Sequence, residues 1–343
     1  MKKMNHASAA AFIVAAGLVA SACSSDDNKV RTYYPKDNVV RVVTNVSNML
    51  TRGSITTSQL TNMGLSIYNT ADPTVYTYGN VEFTKASEGG TWTPAQLMLW
   101  QNKDAVVNIV AYAPYKADYT MPADKVSLSQ VTDFPVSVQP TQTATDYSSD
   151  FLVYKRAGFK PYSDLNALSA IPVNFRHALS QLNISIKLGT EFDQPNKLTA
   201  SPIVGLTVGG TKTSGTYDFT YTAPTTGEAT TSPVTPTGEA QNVQPYESKA
   251  FVEATGTEGH EVSNATATYS CILLPQTVAA NGFTVSFTIG DKTYQWTSTA
   301  EVTLASGCEH SLELRVGKDV VVPGTFTVTK WDETTDPRDL TTD

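Results

Sequence analysis

Apolar side chains recur on every second residue of this chain in many short runs. Between Val39 and Leu50 the even positions read Val40, Val42, Thr44, Val46, Asn48 and Leu50, whereas the odd ones include Arg41, Asn45 and Ser47. A period of two puts one row of side chains on each face of a strand, so this segment predicts a half-buried strand, ended by Thr51-Arg52-Gly53-Ser54. The same reading predicts strands at Leu65–Tyr68, Val75–Phe83, Ala105–Tyr112, Val136–Val138 and Phe151–Lys155, separated by turn pieces such as Asp72-Pro73 and Glu88-Gly89-Gly90. From Phe175 to Leu188, the alternation of Leu182, Ile184, Ile186 and Leu188 favours strand over a short helix at Ala178-Leu179. Further strands are expected at Ile203–Val208, Thr216–Thr222, Thr268–Leu274, Phe283–Ile289, Thr293–Thr297, Ser311–Val316 and Thr325–Lys330.

No long amphipathic helix and no strand–helix–strand rhythm competes, so the fold class is all-β, with two tandem β-sandwich domains. The Gly- and Pro-bearing stretch from Arg156 to Ile171 reads as the junction. It divides an N-terminal domain over 53–168 from a C-terminal domain over 169–343. Within the second, Thr220–Val243 is rich in Thr, Pro and Gly and is expected to be a long exposed loop. Asp319–Lys330 alternates like the first strand, with Val320, Val322, Phe326 and Val328 on even positions. Pro323-Gly324 interrupts it and restricts it to a bulged or edge position. It fits the last strand of its own domain or a strand donated to another chain.

Composition narrows the function classes. Of 343 residues only 16% are charged, with a net charge of −8, while Tyr 16, Phe 12 and Trp 4 suffice for real cores. An acidic chain without a basic patch argues against nucleic acid as a partner. Four His residues leave little room for metal or acid–base chemistry. No nucleophile elbow, phosphate loop, zinc helix or dinucleotide fingerprint occurs, so no catalytic, cofactor or metal residue is assigned and the chain is expected not to be an enzyme. His177 reads as a hydrogen-bonded packing residue, and His260, between Glu258 and Glu261's turn of chain, as a solvated one. Cys308-Glu309-His310 supplies too few ligands for a metal, and Asp146, Asp150 and Asp164 lack the spacing of a calcium loop. The dispersed Trp92, Trp100, Trp296 and Trp331 read as core rather than as a sugar-stacking platform.

The N-terminus carries Lys2 and Lys3, an apolar run from Ala9 to Ala20, and Ala20-Ser21-Ala22-Cys23. This resembles a bacterial lipoprotein signal peptide over 1–22, with Ala20 where Leu is usual, and implies lipidation of Cys23. The Ser24-Ser25-Asp26-Asp27 cluster behind it resembles the surface-export signal of Bacteroidetes lipoproteins. Export also permits a disulfide between Cys271 and Cys308, with buried free thiols as the alternative.

Four further stretches, in order, resemble the Bacteroidales fimbrillin family. They are Thr51-Arg52-Gly53 with Ile55 and Leu65–Tyr68; Val107 to Tyr115 (VNIVAYAPY); Phe175-Arg176-His177 through Leu188; and Ile272 to Gln276 (ILLPQ) followed by Tyr294-Gln295-Trp296 and Leu304–Val316. The resemblance implies transthyretin-like (Greek-key) sandwiches and a structural subunit of surface fimbriae contributing to cell adhesion. It also implies removal of the first strand by an Arg-specific protease and polymerisation by strand exchange with neighbouring subunits. Arg52 before Gly53 is the best-placed cut, because Arg31 or Arg41 would leave most of the strand attached, and residues 23–52 would then be a lipidated tether and propeptide. The alternative is a non-polymerising surface lipoprotein of the same fold, acting as pilus anchor, tip adhesin or glycan-binding protein. Either way the expected location is the outer membrane and cell surface, with the outer-membrane lipid reached through Cys23 and the adhesion ligand open.

Overall fold

In the computed structural model the described residues are 32–46, 55–87, 89–193, 196–222, 232–257, 260–261 and 264–331. The described chain from Tyr33 onward is one compact unit. Its strands in the first half are β1 (Val42–Val46), β2 (Asn62–Asn69), β3 (Tyr78–Thr84), β4 (Thr93–Pro94), β5 (Val107–Ala113), β6 (Phe134–Ser137), β7 (Leu152–Phe159) and β8 (Ile171–His177). The second half holds β9 (Ser180–Leu188), β10 (Ile203–Tyr217), β11 (Val234–Val243), β12 (Tyr246–Val252), β13 (Gly256–Thr257), β14 (His260–Glu261), β15 (Ala265–Leu273), β16 (Gln276–Val278), β17 (Thr284–Ile289), β18 (Lys292–Thr297), β19 (Val302–Leu304), β20 (Cys308–Val316) and β21 (Val321–Lys330). Among the described residues the one α-helix is a single turn, Pro161–Asp164.

Seven strands of the first half form one sheet in the order β1-β8-β7-β5-β2-β3-β4, wrapped around a core that includes Leu65, Phe83, Ile109, Val173 and Phe175. In the second half β11-β10-β17-β18 and β12-β15-β9-β20-β21 enclose a second core. Strand β9 explains itself: Leu182, Ile184, Ile186 and Leu188 are fully buried, and the alternate residues carry Asn, Ser and Lys. It lies at the middle of its sheet, antiparallel to β15 and parallel to β20.

The two halves are not separate beads. Strand β6 pairs with β10 across them, and a third apolar cluster lies between. Strand β5 shows why its sequence is nearly all apolar: Ile109 and Ala111 face the first core, whereas Val110 and Tyr112 face the shared cluster.

Four expectations change. The Phe175–Leu188 run is two strands in different sheets, with Ala178-Leu179 as the crossing. Sheet membership therefore changes there, about ten residues beyond the boundary read at 168, because β8 completes the first core through Ile171, Val173 and Phe175. Strand β10 runs unbroken where two strands, Ile203–Val208 and Thr216–Thr222, are expected; Gly210 sits at φ +87 in a bulge, and a Cβ there would lie 2.0 Å from the Gly282 carbonyl. Within Thr220–Val243, Val234–Val243 is a strand paired with β10, inward only at Val234 and Val243, so its exposed polar sequence resembled a loop.

Candidate functional site

The two ends of the described chain form two sheet edges of opposite character. Strand β1 lies parallel to β8 at one margin of the first sheet, in register from Val42 against Ile171 to Val46 against Phe175. Its lead-in is held on the other side, where Val40 N–H donates to the Met98 carbonyl at 2.9 Å. Val40, Val42 and Val46 are 2%, 6% and 1% exposed. Thr44, in the same row, accepts the Trp92 indole N–H at 3.1 Å, and Val46 N–H donates to Thr57 Oγ1. Burying three valines contributes roughly 5–9 kcal/mol at about 1.5–3 each, which is comparable with the whole stability of a typical domain. Ahead of the strand, Asp37 accepts from Val39 N–H and from Arg41. The Arg41 guanidinium holds the Asp37 pKa down to about 2.

Strand β21 is the margin of the other five-stranded sheet, antiparallel to β20 alone. Phe326 and Val328 stand opposite Leu312 and His310, thus on the core side of the sheet, yet they remain 37% and 50% exposed. Val322 is 47% exposed and Val320, just before the strand, 54%. The register shifts opposite Pro323-Gly324, the bulged edge that the proline requires. The segment thus lies on its own half, one of the two placements its sequence fits.

Between these edges lies a buried polar pair. His177 Nδ1 is 3.0 Å from Asp150 Oδ1, and both residues are nearly inaccessible. The other carboxylate oxygen accepts Ile55 N–H at 2.8 Å. Trp331, the residue after β21, stacks on the His177 ring with centroids 4.1 Å apart and planes 8° from parallel. His177 is thus the packed histidine its sequence suggested, but its partner, 27 residues upstream on an irregular segment, left no local signal.

The remaining sequence candidates separate cleanly. Cys23, Arg52 and Gly53 lie outside the described residues. Cys271 and Cys308 are not joined by a disulfide. Their register partners on β9 are Leu182 and Ser180, which puts a whole strand between them. Two interstrand spacings are about 9–10 Å, beyond the reach of a disulfide. Burial also pushes the Cys271 thiol pKa up. His310 is buried, with Nε2 accepting Ala305 N–H and Nδ1 beside the Gln181 carbonyl; burial lowers its pKa and favours the neutral ring. Trp92, Trp100 and Trp331 are buried and Trp296 packs on the second core, as core tryptophans do. No group of three metal-ligating side chains occurs among the described residues, and no described helix is long and apolar enough to cross a membrane.

The profile of fimbrillin-like proteins matches residues 44–331, from within β1 to the stacked tryptophan. The chain belongs to the fimbrillin-like family. It is accordingly a structural protein of the fimbrial and adhesion class, not an enzyme, and its class acts at the cell surface in association with other fimbrial subunits. Among solved structures it is similar to a candidate cell adhesion protein of Bacteroides uniformis, at 19% identity and a TM-score of 0.53, covering 87% of this chain and 99% of that one. Another of Bacteroides ovatus has 14% identity and a TM-score of 0.56, over 85% and 97% of the two chains. These likenesses show the fold. The tip fimbrial protein Mfa3 of Porphyromonas gingivalis aligns more loosely, at 8% identity and a TM-score of 0.47, over 85% and 98%. No curated protein matches the sequence.

Proposed function

We propose that this fimbrillin-like chain is a polymerising subunit of surface fimbriae, built from transthyretin-like sandwiches and exported as a lipoprotein anchored through Cys23. An Arg-specific protease cuts after Arg52, β1 leaves, and the segment around β21 of a neighbouring subunit takes its place. The observation that carries this reading is the pairing of a buried edge strand directly ahead of Arg52 with an exposed edge strand of the same alternation at the other end. Loss of β1 would leave the outer backbone groups of β8 unpaired above an apolar trench. An extended segment with valines on alternate residues restores both the ladder and the filling.

The test is N-terminal sequencing of the protein recovered from the cell surface. A start at Gly53, lost in Arg52→Ala together with polymer, supports the pilin; a lipidated Cys23 start on the surface form overturns it. The second reading, a non-polymerising anchor, tip or glycan-binding lipoprotein, is favoured by one observation: β21 is already paired along its length with its own β20.

A further inference from the structure

We propose that the buried Asp150–His177 pair is a latch that holds the chain at Ile55 and the end of β21 at once, so that loosening either loosens the other. The proposal deepens the strand-exchange reading by naming what regulates release of β21, but the latch belongs to the intact monomer and exists whether or not that monomer polymerises.

The grip on β21 is uneven. No residue of the strand itself is fully buried, and from Val322 to Lys330 every one is exposed. Trp331, one step further, is wholly buried. Its backbone N–H donates to the Gly307 carbonyl at 2.8 Å, while Gly307 N–H donates to Leu179 at the crossing between the halves. Over β21 and the residue after it, the indole is therefore the one fully buried side chain. That indole is also imperfectly housed, because its Nε1–H is buried without an acceptor. An unmet buried donor costs stability and makes the seat easier to leave than its burial suggests.

The face of His177 supplies the seat, and Asp150 fixes the ring by its hydrogen bond to Nδ1. The same carboxylate holds the Ile55 amide, where the described chain resumes after β1. One carboxylate thus supports the main chain at Ile55 and, through a single ring, the end of the last strand. Moving Trp331 removes the packing that restrains His177. A shift of the imidazole then carries the Asp150 carboxylate with it through the Nδ1 hydrogen bond, and Ile55 N–H loses its acceptor alignment.

The experiment is amide hydrogen exchange on the intact, uncut chain, read on peptides covering β21, Ile55 and the central strand β9. Trp331→Ala should speed exchange across β21 at least tenfold and at Ile55 at least threefold, with β9 unchanged. Trp331→Phe, which keeps a ring on His177, should stay within threefold of wild type at both. If Trp331→Ala also exposes β9, the variant has unfolded, and Asp150→Asn decides: Ile55 and β21 must both exchange faster. Acceleration of one end without the other, in whichever variant remains folded, overturns the latch. Because no assembly step enters, coupled exchange without polymer would refute strand exchange alone, and polymer with uncoupled exchange would refute the latch alone.

Discussion

The first and last strands of the described chain have nearly the same sequence pattern and opposite environments. Strand β1 turns Val40, Val42 and Val46 into a closed core, whereas Val322, Phe326 and Val328 of β21 stay 47%, 37% and 50% exposed at a sheet edge. A similar alternation therefore marks, in one place, a strand over which the core closes and, in the other, a strand with apolar surface to offer. What distinguishes them is the sheet each one meets. Strand β8 presents Ile171, Val173 and Phe175 beside β1, while β21 pairs with β20 alone and packs on the second core through Val321.

That contrast is broken most forcefully by placing one substitution on both edges. Val46→Asp buries a carboxylate in the first core and should cost about 3–5 kcal/mol in chemical denaturation, enough to unfold a marginal domain. Val328→Asp should cost less than about 1 kcal/mol, within the range of strand propensity at a half-exposed site. Equal losses would mean that β21 is as integral to the monomer as β1. The smallest effect is expected ahead of β1. The Asp37 pKa is depressed to about 2, chiefly by its hydrogen bond to Arg41, so its contribution is present above the ordinary carboxylate range and fades as pH falls from about 4 toward 2. Asp37→Asn should flatten that part of the pH titration, with a loss at neutral pH kept small by the exposure of both side chains and vanishing near pH 2.

Much of this architecture was legible in the chain because β-strands with one buried face write a period of two. Strand β9, with its four fully buried aliphatic residues, is the plainest case. The failures share a cause, which is that local pattern does not record what lies above or beside a segment. Strand β11 reads as a loop because only its two ends turn inward, and β10 reads as two strands because its bulge needs glycine. The Phe175–Leu188 run reads as one strand because the change of sheet at Ala178-Leu179 breaks no alternation. The candidate edges were visible at sequence level, as was the packing role of His177. The Asp150–His177–Trp331 cluster was not, since its members come from three distant parts of the chain.

Strand exchange itself is tested most directly by the polymer. Purified subunit cut after Arg52 should form SDS-resistant ladders, and the same cut subunit bearing Val328→Asp, folded and equally stable, should remain monomeric because its donor row carries a charge that the trench cannot accept. Ladders of undiminished length from Val328→Asp would contradict the account.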